Sequence, residues 1–122
     1  MNNVTRSYKD LIVWPKGIEL AKSIYRLTQR FSSEEKFGLV AQMRGAAVSI
    51  PSNIAEGQAR RTTGEFLQFI STAEGSLAEL DTQTILSVEL ELCGKPAAEA
   101  VFALLDELRR MLNALRRKLV AR

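Results

Sequence analysis

Histidine is absent from all 122 residues, and cysteine occurs once, at Cys93. Without histidine there is no Ser-His-Asp triad, no Cys-His pair, no His-containing zinc site and no di-iron site built on Glu-x-x-His. Carboxylates alone can hold a metal, but no EF-hand-like spacing of Asp and Glu occurs, so neither an enzyme nor a cofactor is expected. A single cysteine excludes an internal disulfide and agrees with a reducing compartment. Long apolar runs are also missing. None approaches the roughly 18 to 20 residues that span a bilayer, and the opening "MNNVTRSYKD" lacks a signal peptide's apolar core. No membrane association and cytoplasmic residence are therefore expected. With three prolines and seven glycines, the chain has no low-complexity bias either.

What is present is 46% hydrophobic and 25% charged residues, enough for one core and one domain over residues 1–122. The net charge of +3 conceals a segregation along the chain. Residues 1–62 carry ten Lys/Arg and five Asp/Glu, residues 63–107 one and nine, and residues 108–122 six and none. Basic ends around an acidic middle can pair with that middle, or can present a basic face to a polyanion.

Four helical patterns fill the sequence. In the first, about 11–30, Trp14, Ile18, Ala21 and Tyr25 share a stripe widened by Leu20, Ile24, Leu27 and Phe31. Pro15 fits only a first turn, so this helix starts near Trp14, or at Asp10 with a distortion at Pro15. The second, about 33–56, opens with a capping box of Ser32 and Glu35 and buries Phe37, Val40, Ala41, Ala47, Val48 and Ile54. It stops at Gly57, read as a left-handed terminus. The third, about 63–92, begins with a box of Thr62 and Glu65 and carries Phe66, Ile70, Ala73, Leu77, Leu80 and Thr84 at spacings of four and three.

"LSVELEL", residues 86–92, alternates with period two, but a strand without a partner leaves its backbone unpaired, so helix is expected there until Gly94 ends it. Pro96 suits the first position of a fourth helix, about 96–120, whose Val101, Leu104, Leu105, Leu108, Met111, Leu112, Leu115 and Leu119 form a further seam. The expected fold is all-α: an up-down-up-down antiparallel four-helix bundle with helix 2 kinked at Pro51.

Residues 49–57, "SIPSNIAEG", carry that kink. Pro51 deletes one backbone hydrogen bond and crowds the carbonyl of Ala47, with Ser49, Ser52 and Asn53 at hand for the freed groups. No base exists to activate either serine, so the stretch reads as architecture.

Three blocks, "YKDLIVWPKGIELAKSIYRLT", "FSSEEKFGLVAQMRGAAVSIPSNIAEGQARR" and "EFLQFISTAEGSLAELDTQ", resemble the bacterial four-helix-bundle family first noticed as proteins encoded in intervening sequences of large-subunit ribosomal RNA genes. The similarity spans roughly residues 8–115 and is densest from Gln42 to Arg61, with Arg44, Ser49, Pro51, Ser52, Asn53, Glu56 and Gly57 as the structural motif. It implies a ring-like homopentamer. A related branch, the accessory variability determinant of diversity-generating retroelements, implies binding to nucleic acid and to a partner protein. Gly45 departs from the family's second arginine, and Gly17 from its alanine, a change that weakens helix 1 by up to about 1 kcal/mol.

The candidate contacts to RNA or DNA are all basic. Arg109, Arg110, Arg116, Arg117 and Lys118 crowd the end of helix 4; Arg109 and Arg116 share one face, as do Arg110 and Arg117. Competing readings are favourable charge at a helix C-terminus or pairing with acidic helix 3. Arg60 and Arg61 flank the start of helix 3, as an anion site or merely as a soluble turn. Arg44, beside the apolar stripe, is expected to pair with Glu74 or Glu79. No aromatic ladder for stacking bases is visible, so binding is expected to be electrostatic. Small residues, Ala46, Ala47, Ser49, Ser52 and Ala55 with Gly75, Ser76 and Ala78, allow close helix packing within or between copies. The expected function is a non-enzymatic, homopentameric, nucleic-acid-binding accessory protein; the alternative is a structural or protein-interaction module without nucleic acid.

Overall fold

A computed structural model describes Tyr8 and residues 11–122. Four helices form: α1 (Val13–Thr28), α2 (Leu39–Gln58), α3 (Thr63–Glu89) and α4 (Lys95–Val120), and no strand occurs among the described residues. The protein is an all-α four-helix bundle. Each helix packs on two others, α1 and α3 both touching α2 and α4. Between α2 and α3, Met43 meets Ser87, Ser49 meets Ser76, and Gly57 lies against Phe66 and Phe69, falling numbers against rising ones.

The helix starts follow backbone chemistry. Pro15 stands in the first turn of α1, where its missing N–H has no intrahelical partner to lose. The alternative start at Asp10 lies outside the described residues. Thr62 caps α3: its Oγ1 accepts from the Glu65 N–H at 3.1 Å and donates to Glu65 Oε1 at 3.0 Å. The box thus forms with the glutamate closing on the hydroxyl. Pro96 takes the second position of α4 rather than the first, after Lys95.

Ser32 and Glu35 depart from expectation. They belong to a separate 3-10 turn, Ser33–Glu35, in which the Ser32 side chain makes no capping bond. Gly38, with φ −106° and ψ −106°, then breaks the path, and α2 begins only at Leu39. Phe37 is left ahead of the helix and 90% exposed. From the new start, Val40, Met43, Ala47, Ile50 and Ile54 form the buried stripe, which turns Ala41 outward and leaves Val48 44% exposed.

Both expected glycine stops are also corrected. No glycine among the described residues has a positive φ. Gly57 lies inside α2 and is buried: a Cβ there would come within 2.8 Å of Phe66 Cδ1 and Phe69 Cβ. Its role is close approach of α2 to α3. At the other end of α3 the left-handed residue is Glu91, φ 60°. The Glu91 N–H donates to the Val88 carbonyl at 3.0 Å and the Leu92 N–H to the Ser87 carbonyl at 2.9 Å, a Schellman closure. The helix therefore ends at Glu89, short of Leu92, and Gly94 serves as the N-cap of α4 instead.

The core draws on all four helices, with Leu20, Ile24, Met43, Ile50, Ile54, Ile70, Leu80, Leu105, Leu108 and Leu112 sealed from solvent. Each such side chain stabilises the fold by about 1.5–3 kcal/mol on burial. Ile18 and Tyr25, expected in the stripe of α1, sit at its edge. Gly17 has a packing counterpart for its weak helix propensity: a Cβ there would stand 3.3 Å from Pro51 Cβ, so the glycine lets α1 lie close on α2. The Lys16 ammonium joins α1 to α4, 3.5 Å from Glu107 and 3.4 Å from Glu19. Desolvation is the largest single influence and lowers its pKa, but Glu107 and then Glu19 together outweigh it and hold the ammonium above its ordinary value.

Candidate nucleic-acid interface

The "SIPSNIAEG" stretch organises the α2–α3 seam. Asn53 Nδ2 donates to the Ser49 carbonyl at 2.7 Å and to Ser49 Oγ at 2.9 Å, and Ser49 Oγ lies 2.8 Å from Ser76 Oγ. The polar groups near Pro51 are thus used to tie α2 to α3, and Asn53 serves the Ser49 carbonyl rather than that of Ala47. Pro51 itself is buried within a helix that continues to Gln58. Ser52 is half-buried and Glu56 exposed.

Arg44 does not pair with Glu74 or Glu79. Its Nε donates to Thr28 Oγ1 at 2.9 Å and its Nη2 to the Tyr25 carbonyl at 3.3 Å, with the guanidinium 4.4 Å above the Tyr25 ring. It caps the C-terminal turn of α1, where free carbonyls and the helix dipole favour a cation. Sequence order hid this because Thr28 is sixteen residues away.

The carboxylate of Glu74 goes instead to Arg116, whose Nη2 also donates to Ser71 Oγ at 2.9 Å. Pairing with acidic helix 3 is therefore realised for this arginine. Arg109 and Arg110 both bind Asp106 on their own helix, Arg110 at 2.9 Å, so Arg109 does not act with Arg116 as one free row. Such exposed pairs contribute little stability, about 0–1 kcal/mol each, yet they lower the local positive potential.

Three of the remaining candidate residues, Arg60, Arg61 and Lys118, meet at one end of the bundle. Arg60, Arg61, Lys118 and Arg122 line a cleft of about 570 Å³ between the α2–α3 joint and the last turn of α4. Its walls include the hydroxyl residues Thr62 and Thr63, its apolar side is Leu11, Phe66, Leu115 and Leu119, and no acidic residue is among the described residues lining it. Arg60 is steadied by Phe69, whose ring centre lies 4.7 Å from the guanidinium. Arg117, exposed on the same turn of α4, makes no ion pair among the described residues. Lys118 and Arg61 are far apart in sequence, and no local spacing joins Arg61 to Lys118 or to Arg122. The only signal for Arg122 is the run of positive charge at the chain end.

Two negative observations complete the surface. Among the described residues no group of three Cys, Asp or Glu is placed to hold a metal ion, and no helix is long and apolar enough to cross a membrane.

The fold and the cleft define a helical-bundle protein with a basic cleft at the end of α4. The chain belongs to the 23S rRNA-intervening sequence protein family, whose model matches residues 9–114. Four solved chains match it, among them a protein of unknown function from the S23 ribosomal protein family of Bacteroides thetaiotaomicron. That structure is 22% identical with a TM-score of 0.80, over 86% of this chain and 98% of that one, so the likeness is one of fold. No curated protein matches.

Proposed function

We propose that this chain is a non-enzymatic, cytoplasmic, self-assembling accessory protein that binds RNA or DNA through a basic surface. The observation that carries the reading is the convergence of Arg60, Arg61, Lys118 and Arg122 on one cleft, with no acidic residue among the described residues that line it. Four cations held together attract a polyanion, because each phosphate they neutralise releases condensed counterions. The paired Arg109, Arg110 and Arg116 supply a weaker flank.

Self-assembly, as the homopentamer implied by the family resemblance, is supported by α2. Residues 45–55 of that helix contain no charge at all, and its outward positions include Ala41, Gly45 and Val48. An outer helix face without charges is suited to burial against another copy. Light scattering at micromolar concentration is expected to give five times the chain mass, and Val48→Asp to lower it; a monomer would overturn the assembly. Fluorescence anisotropy with labelled RNA is expected to show affinity falling steeply with salt, and a salt-insensitive isotherm would overturn the electrostatic reading.

A second reading, a docking module for another protein without nucleic acid, is favoured by one feature: Phe37 stands 90% exposed before α2. No change in anisotropy of labelled RNA or DNA at any salt concentration is the outcome expected of this second reading, and salt-sensitive binding that Phe37→Ser leaves unchanged is the outcome that overturns it.

A further inference from the structure

Resting on the nucleic-acid reading, and sharpening it, we infer that the cleft between the α2–α3 joint and the end of α4 takes one nucleotide of a single strand rather than the outside of a duplex. The argument is one of shape and lining. A duplex presents its phosphates on a convex cylinder, which a flat or gently curved basic face serves best. This site is concave, and its volume of about 570 Å³ lies in the range of pockets that enclose a small organic group.

Its two sides are chemically different. Arg60, Arg61, Lys118 and Arg122 supply cations, while Leu11, Phe66, Leu115 and Leu119 supply an apolar wall. A phosphate alone has no use for the apolar wall, and an apolar ligand has none for the cations. A nucleotide has a partner for each: its phosphate for the guanidinium and ammonium groups, its base or ribose for the hydrocarbon. Arg60 is already held over Phe69, so less of its side-chain freedom is lost on binding. Thr62 and Thr63 add hydroxyls beside the cations. In a paired strand the base is stacked and must be unpaired and extracted, whereas a single strand offers it without that cost.

The test compares a labelled single-stranded RNA of about 12 nucleotides with the duplex of the same sequence. Three proteins are titrated: the unmodified chain, Arg61→Ala/Lys118→Ala, and Arg109→Ala/Arg110→Ala. All four positions are exposed, so the fold is expected to persist, with circular dichroism as the check. The unmodified protein should prefer the single strand. The cleft variant should lose about tenfold or more in affinity, with the log–log salt slope reduced by about 0.7, the single-strand value for one phosphate. The Arg109/Arg110 variant should lose less than about threefold, since both arginines are held by Asp106. Leu115→Gln should weaken the single strand while leaving the salt slope unchanged, a signature that loss of phosphate contacts does not give. A cleft variant that binds like the unmodified chain overturns the cleft and leaves the broader reading intact. Equal affinity for duplex and single strand overturns the nucleotide. No binding by the unmodified protein of either RNA, or of single- or double-stranded DNA of the same sequence, overturns both readings.

Discussion

The two ends of α3 turn the chain by different means. At its start, α2 runs through Gly57 to Gln58, and Ala59 to Arg61 lead directly to a capped Thr62. That joint keeps ordinary backbone angles, and its glycine is consumed by packing, with Phe66 and Phe69 pressed onto the bare Cα. At its end, Glu91 enters the left-handed region and closes a Schellman motif, while Gly94 three residues on has φ −82° and ψ 161°, an ordinary extended conformation. One joint is tight in packing and relaxed in backbone; the other holds the backbone strain. Only the first carries the basic cleft, with its cations placed by a joint that has no conformational penalty to release.

Breaking this contrast is simplest at Gly57. Gly57→Ala should lower unfolding free energy by about 2 kcal/mol, because the added carbon meets Phe69 Cβ, which is fixed to the backbone and has nowhere to go. Urea denaturation with an unchanged m-value is the check; a gain in stability would mean the site follows helix propensity after all. Thr62→Ala, at the same joint, removes the bond to the Glu65 N–H and should cost about 1 kcal/mol. Glu91→Gly should act in the opposite direction. It relieves a left-handed L-residue and should raise stability by about 1 kcal/mol, read as a higher midpoint.

Smaller effects sharpen the second joint. Gly94→Ser offers α4 the side-chain cap it lacks, for about 0.5 kcal/mol or less. Cys93, half-buried in this joint, has its thiol pushed above the usual range by burial. A thiol with a raised folded pKa holds its proton more tightly when folded, so its contribution to stability is present below the unfolded pKa and is lost as pH rises through the folded one. Alkylation by iodoacetamide near about pH 8 should accordingly be slower for the folded than for the urea-unfolded chain.

Much of the bundle was legible in the residues. The seam of α4, the Thr62 cap and the helical nature of Leu86 to Glu89 could all be read locally, because periodicity and capping act within a turn or two. Ser32–Glu35 looked equally good and failed, since Gly38 intervenes before any helix can propagate from it. The candidate interface was half legible. Arg60, Arg61 and Lys118 were visible as charges, but nothing in their order revealed that they share a cleft with Arg122, or that Arg116 is turned to Glu74 and Arg44 to Thr28.

By itself the sequence determined the helical class, the absence of histidine chemistry and the segregation of charge, all of which depend on residue identity and short-range spacing. Tertiary structure decided which glycine packs and which residue turns, and which cations are neutralised and which are left together. Those outcomes depend on what stands opposite a residue across the bundle, and a partner 42 residues away, as Glu74 is from Arg116, leaves no mark on the local pattern.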